Sequence, residues 1–251
     1  MAAAGGALME FHIHQLRMWA PGLDTDEAWQ AWARHPARLP DNNEQPSCDF
    51  LPPMQRRRLS RLARMAMHVA WPLCGEHEQL PFVFASRHGE TSRTFALLSE
   101  VADGQPLSPT QFGLSVHNAI AGQWSILRGQ RGESVAIAGE TDTFEHAMVE
   151  ATALLGDGAP TVLVVIAEER PPAAYDGWID DVPFSYAVAL RVGGIDAAPG
   201  TRWQLRLEPH QGTSLPAAWP HALDFARALH AGEETLEHTW KTRRWIWQRI
   251  P

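Results

Sequence analysis

The chain has 251 residues, with 21 Lys+Arg against 29 Asp+Glu and a formal charge of −8. So few cations exclude a general nucleic-acid binder, which must displace counterions from many phosphates. With 45% hydrophobic and 20% charged residues the composition supports a packed core and excludes intrinsic disorder.

Cys48 and Cys74 have no CxxC spacing, so neither a zinc ribbon nor a disulfide scaffold is indicated and a reducing compartment is expected. The opening stretch MAAAGGALMEFHIHQ lacks a basic segment and a long apolar segment, and no apolar run reaches membrane-spanning length. A cytoplasmic protein without a membrane span is the expectation.

Alternation at Phe11, Ile13 and Leu16 predicts a short strand over 10–19, ended by Pro21 and Gly22. Asp24 and Thr25 can cap a short helix carrying Trp29 and Trp32. Residues 36–53, with several prolines and the pair Asn42 and Asn43, read as an irregular connection. Over 54–71, Leu59, Leu62, Ala63, Ala66, Val69 and Ala70 recur at the three- and four-residue spacing of a buried helix stripe. Arg56, Arg57, Arg58, Arg61 and Arg64 form its basic side, an arrangement that is ordinarily a solvated face. PFVFAS (81–86) suits a strand covered on both faces.

Helices follow at 91–101 and 115–127, then a second short buried strand at SVAIAG (134–139), a helix at 143–155, and TVLVVIAEE (161–169), the most strand-like segment. Two more strands are expected at 185–192 and 202–209, and a final helical stretch at 222–247, punctuated by Gly232. Alternating helices and strands indicate a layered α/β sheet with crossovers.

Local signs of chemistry are sparse. No Gly-x-Ser-x-Gly elbow occurs, and Ser115 and His117, two apart, would point to different faces of a helix. His12 and His14 would share a strand face, but with His117, His146 and His210 they form no local metal-ligand spacing, so no metal is expected. The Gly129 to Gly132 turn precedes a strand, whereas an anion site needs a helix N-terminus. No cofactor motif is present.

Segment 108–169 is more specific. It contains Asn118, Ala119, Ile120, Ala121 and Gly122, then SILRG ending at Gly129, then Gly132, Glu133, Ser134, Val135, Ala136 and Ile137. It resembles the stretch of β-ketoacyl synthases that carries an Asn-Ala-x-x-Gly helix, a glycine turn, a buried strand and the nucleophile elbow. RRRLSRLARMAMHVA (56–70) and PFVFASRHGE (81–90) are similar to that family's early basic helix and its following strand and glycine turn, so the likeness spans roughly residues 10–195. It implies a thiolase-like layered α/β/α fold with a mixed sheet over 1–199. A strand and helix extension at 200–251 would pack on the same domain through Trp203, Trp240, Trp245 and Trp247.

Condensing enzymes place a cysteine at the elbow, where the helix N-terminus stabilises thiolate and oxyanion. In this register Thr141 stands in the cysteine's place, and a hydroxyl needs an adjacent base to become a nucleophile. The family's later His-Gly-Thr and Gly-His motifs have no counterpart after residue 170. His210, His221, His230 and His238 lack the glycine context, and RHGET (87–91) falls at an early strand turn. The chain thus resembles the amino-terminal half of a ketosynthase without its chemistry, like the chain-length-factor-like subunits of aryl polyene and xanthomonadin-type pigment systems.

The resemblance implies a non-catalytic subunit that forms a heterodimer with an active β-ketoacyl synthase in type II polyketide or fatty-acid-like elongation, with acyl carrier protein as a further partner. Ser134, Val135, Ala136, Ile137, Ala138 and Gly139 would form the dimer edge. Val116, His117, Ile120 and Trp124 are candidates for the wall of the partner's acyl tunnel, Ile120 and Trp124 being equally suited to this chain's own core. Arg56, Arg57, Arg61 and Arg64 are candidate carrier contacts. Two other readings stand beside this one: an acyltransferase or hydrolase using Thr141 with Glu140, Asp142 or His146 as helper, and a carrier-binding accessory module acting without a ketosynthase.

Overall fold

The computed structural model describes residues 8–40, 42–194, 200–214 and 217–251. Residues 1–7 of the stretch inspected for a leader lie outside the described residues. Strand β1 (Leu8–Trp19) leads to α1 (Asp26–Arg34), whose N-cap Thr25 hydroxyl accepts from Ala28 N at 3.2 Å. After the irregular connection come α2 (Pro53–Arg56) and α3 (Arg61–Ala70). The expected single helix over 54–71 is therefore two, because the Ser60 hydroxyl accepts from Ala63 N at 3.0 Å and starts a new helix there.

Next are β2 (Phe82–Ala85), α4 (Thr91–Ala102), α5 (Pro109–Gly113), α6 (Ala119–Arg128), β3 (Ser134–Ile137), α7 (Thr143–Gly156), β4 (Thr161–Glu168) and β5 (Tyr186–Gly193). Helix α6 begins four residues later than the expected 115, because residues 114–118 turn to bring the His117 ring onto the Ser86 carbonyl at 2.7 Å. The chain closes with β6 (Thr201–Pro209), α8 (His221–Ala231), β7 (Thr235–Trp240) and β8 (Arg243–Arg249). The helix expected over 222–247 stops at Ala231, where Gly232 takes a left-handed conformation (φ 73°), and the remainder is a β-hairpin turning at Lys241 (φ 52°). Leu236 and His238, then Trp245 and Trp247, alternate inward at the period of two that belongs to strands.

The eight strands of the described residues form one mixed sheet in the order β3-β2-β4-β5-β1-β6-β8-β7, with β2 parallel to β3 and β4 and every other neighbour antiparallel. Strand β4 is covered on both sides. Val162, Val164 and Ile166 face a core built with α7 and α8, while Leu163, Val165 and Ala167 face a core built with α3 and α6. Each such fully buried aliphatic side chain contributes roughly 1.5–3 kcal/mol relative to exposure, which is why this run reads so clearly as a strand. The sheet continues without a break through β6, β8 and β7, where Trp203, Trp245 and Trp247 are buried. This is the thiolase-like α/β fold.

One strand differs from expectation. SVAIAG is an open edge rather than a buried strand: among the described residues β3 pairs only with β2, Ser134 and Ala138 are exposed, and Val135, Ala136 and Ile137 are half-buried. No helix among the described residues is long and apolar enough to cross a membrane.

Candidate functional site

The chain leaves β3 at Ile137 and enters α7 at Thr143 through a tight elbow. A Cβ on Gly139 would meet Thr143 Cα at 3.2 Å and the His146 ring at 3.1 Å, so glycine is needed for the strand to pass the helix. Gly139 N donates to Thr143 Oγ1 at 3.1 Å, and that hydroxyl donates to Glu140 O at 2.7 Å. Thr141 therefore sits at the mouth of the elbow, where its hydroxyl accepts from Arg87 Nη1 at 3.1 Å.

The terminal hairpin locks the elbow's charges. Glu140 is held by Lys241, by Trp240 Nε1 at 2.7 Å and by Arg243 Nη2 at 3.1 Å, and these contacts, Lys241's first, bring its carboxyl down to about 2. Asp142 is buried, which would raise its pKa, but hydrogen bonds from His146, Arg243 and Trp245 hold it well below the usual carboxylate range. The same contact with Asp142 raises His146 and favours its cation. The three candidate helpers of Thr141 are thus two very weak carboxylate bases and an imidazole biased toward its protonated form, and none suits removal of a hydroxyl proton. Cys48 and Cys74 offer no substitute thiolate. Both are buried, and burial pushes the Cys48 thiol up to about 11 and raises Cys74.

The turn after β2 faces the elbow. Gly89 (φ 57°) lies where a Cβ would meet the His117 ring at 3.1 Å, so the HGE turn packs against the turn that leads into α6. Arg87 and His88 both pair with Asp181, at 2.8 and 2.9 Å. The buried Glu168 accepts from Ser86 Oγ at 3.0 Å and from the N–H groups of Arg87 and His88; burial nevertheless pushes its carboxyl up to about 7. Between this turn, the elbow and the start of α8 lies a cavity of about 410 Å³, lined among others by Arg87, Thr141, Phe144, Tyr186, Trp219 and His221.

Behind that cavity is a group that sequence reasoning missed. The Glu145 carboxylate, fully buried in α7, meets His221 Nδ1 at 2.9 Å and His238 Nδ1 at 2.6 Å, while His238 Nε2 meets Asp224 at 3.3 Å. Trp247 Nε1 also donates to Glu145, at 3.3 Å. Burial would raise Glu145, but the two imidazoles hold it well below the usual range. Burial would likewise lower His238, yet Glu145 and Asp224 raise it to about 9, so it is a cation at neutral pH. The two rings stack with centroids 3.9 Å apart and planes 15° from parallel. An ion needs to lie in the plane of each ligating ring, which two stacked rings do not allow, so the group is a hydrogen-bonded ionic cluster.

Residues 29–248 match the family described as beta-ketoacyl synthase, N-terminal domain. The chain belongs to that family. The match runs through the terminal hairpin, past residue 195 where the likeness read from the sequence ends. No curated protein sequence matches this family member.

Among solved structures it resembles, end to end, a chain of the complex of the ketosynthase ApeO with its chain length factor ApeC from Xenorhabdus doucetiae. That likeness has 29% identity and a TM-score of 0.83 over 96% of this chain and 100% of the other. It also resembles the ishigamide ketosynthase/chain length factor (16% identity, TM-score 0.63, 80% of this chain and 67% of the other). A third likeness is to a beta-ketoacyl synthase from Burkholderia phymatum (13% identity, TM-score 0.61, 90% of this chain and 71% of the other). The last two share the fold.

The remaining candidates of this ketosynthase-family chain are dispersed. Ile120 and Trp124 fill its own core, Trp124 stacking on Phe82 at 4.9 Å. Val116 is exposed, and His117 is tied to Ser86 O. Arg61 donates to the carbonyls of Asn42 and Glu44 and to Ser185 Oγ at 2.8–3.0 Å, and Arg64 to those of Pro46, Ser47 and Arg56, so both anchor the irregular connection onto α3. Arg56 pairs with Asp49, while Arg57 is exposed.

Proposed function

We propose that this chain is a non-catalytic, chain-length-factor-like subunit that pairs with an active ketosynthase in polyketide or fatty-acid-like chain elongation, of the aryl polyene pigment type. The observation that carries the reading is the elbow. The ketosynthase scaffold is kept from β3 into α7, but the nucleophile's place holds Thr141, bonded to a guanidinium and flanked by carboxylates committed to the terminal hairpin. A scaffold kept without its reacting group suits a partner rather than a catalyst.

Strand β3 supports the pairing. Its carbonyls at Glu133 and Ile137 accept from Phe82 N and Ser86 N, so residues 133, 135 and 137 bond inward to β2. In a parallel strand alternate residues turn both backbone groups to the same side, which leaves Ser134 and Ala136 presenting theirs outward. An uncovered edge of this kind invites a partner strand. Ile126 is exposed on α6, the helix that packs on β3, and adds apolar area near that edge. The likeness to a chain of the complex of ApeO with ApeC, in which a ketosynthase is bound to its chain length factor, supports the reading.

The partner would supply the cysteine and histidines, and carrier-protein contact on this subunit would fall to Arg57 and its exposed neighbours. Co-expression tests the proposal. A stable complex with an active ketosynthase and altered product length support it; acyl loading of the isolated chain contradicts it.

A further inference from the structure

The tip of the terminal hairpin forms one wall of the cavity beside the elbow. Trp240, the last residue of β7, lines that cavity together with Glu140 and Thr141. Its Nε1 donates to the Glu140 carboxylate at 2.7 Å. The Arg87 guanidinium lies over its ring, 5.9 Å from the centroid, and also donates to the Thr141 hydroxyl at 3.1 Å. Trp240 thus covers the group that holds Thr141.

What holds the tip differs from what holds the rest of the hairpin. Trp245 and Trp247 are buried in the core, and the buried Asp142 carboxylate ties Arg243 and Trp245 to the start of α7. At the tip, by contrast, no side chain of Trp240, Lys241 or Thr242 is fully buried. The contacts there are polar: Lys241 and Arg243 on Glu140, and Ser214 Oγ, which donates to Lys241 O at 3.2 Å. The Lys241 and Glu140 side chains are 58% and 40% exposed, so water and salt screen their pair and it holds weakly. Lys241 also takes a left-handed conformation (φ 52°) that costs free energy in any residue with a Cβ, and release of the tip relieves it. A segment held by exposed polar contacts opens more readily than the core it adjoins.

We propose that the hairpin tip, Trp240 to Thr242, is a lid on the cavity beside the elbow, latched by Glu140 and opening on its own while the core stays folded. The inference does not depend on pairing with a ketosynthase and is tested on the full chain alone. Hydrogen exchange of the indole N–H groups, followed by NMR, reads the latch. Trp178, 88% exposed, reports the unprotected rate, and Trp245, bonded to buried Asp142, reports the core. Trp240 should exchange at a rate between the two. Glu140→Gln should speed it about fivefold, the scale of losing two partly exposed ion pairs. In wild type about 1 M sodium chloride should speed it roughly threefold relative to Trp178, with Trp245 unchanged.

Access to the elbow is read separately. Thr141→Cys places a thiol there against a background of two buried cysteines, and iodoacetamide should alkylate it several-fold faster when Trp240→Ala removes the covering ring. Exchange of Trp240 at the rate of Trp178 or of Trp245, exchange that neither Glu140→Gln nor salt accelerates, or an alkylation rate unchanged by Trp240→Ala would each overturn the proposal.

Discussion

Glu145→Gln removes the negative charge that lies between His221 and His238 while keeping the side chain's size. The rise of His238 from an ordinary 6.5 to about 9 corresponds to roughly 3 kcal/mol of favourable interaction, of which Glu145 is the larger source and Asp224 the smaller. Breaking a buried pair by removing one partner falls in the same range, about 3–5 kcal/mol. For a domain of this size that predicts a fall in melting temperature of roughly 6–12 °C.

The pH dependence has a definite sign. A raised histidine stabilises fully below 6.5, and the contribution is lost as pH rises through about 9. Glu145 is lowered from 4.5, so its contribution is present above that value and lost as pH falls below it. Thermal unfolding followed by circular dichroism at pH 7 and 9.5 should therefore show wild type less stable at 9.5, with this loss much reduced in Glu145→Gln, whereas any loss between pH 5.5 and 7 from the raised Glu168 should persist in the variant. A variant melting within 2 °C of wild type, with the same pH slope, would refute the assignment of the cluster as an ionic lock.

Other substitutions separate packing, chemistry and pairing. Trp124→Ala should cost about 3–5 kcal/mol in denaturant unfolding, because the ring is a core filler stacked on Phe82. Thr141→Ala should change neither stability by more than about 1 kcal/mol nor the response to acyl thioesters, and intact-mass analysis should find no acyl adduct on either protein. Ala136→Pro removes an N–H directed away from β2, so the isolated chain should keep its circular dichroism spectrum while losing association with its partner on size exclusion. Arg61→Ala should speed proteolytic cutting near residues 42–44, because it releases the carbonyls of Asn42 and Glu44.

How far the sequence could be read follows from which forces act locally. Strand β4 and helix α3 are legible because their side chains bury at a fixed period, and the elbow through the resemblance that segment 108–169 carries. The hairpin at 235–249 was misread as helix because Arg and Trp residues are compatible with either, and the deciding features, Gly232 and Lys241 in left-handed conformations, act only at single residues. That β3 is an edge depends on sheet order, which apolar content does not encode. Glu145, His221 and His238 come from three elements far apart in the chain, so no spacing could have announced them. The arginines of α3 had the opposite fate: their periodic spacing was plain, but it is the 42–47 connection that occupies Arg61 and Arg64.

The central claim is that this chain supports a ketosynthase without reacting itself, and co-purification with candidate ketosynthases followed by mass analysis of the products tests it most directly. The account predicts a stable heterodimer whose product length differs from that made by the ketosynthase alone, and no condensation product from this chain by itself. Failure to form a complex with any active ketosynthase, or condensation by the isolated chain, would contradict it.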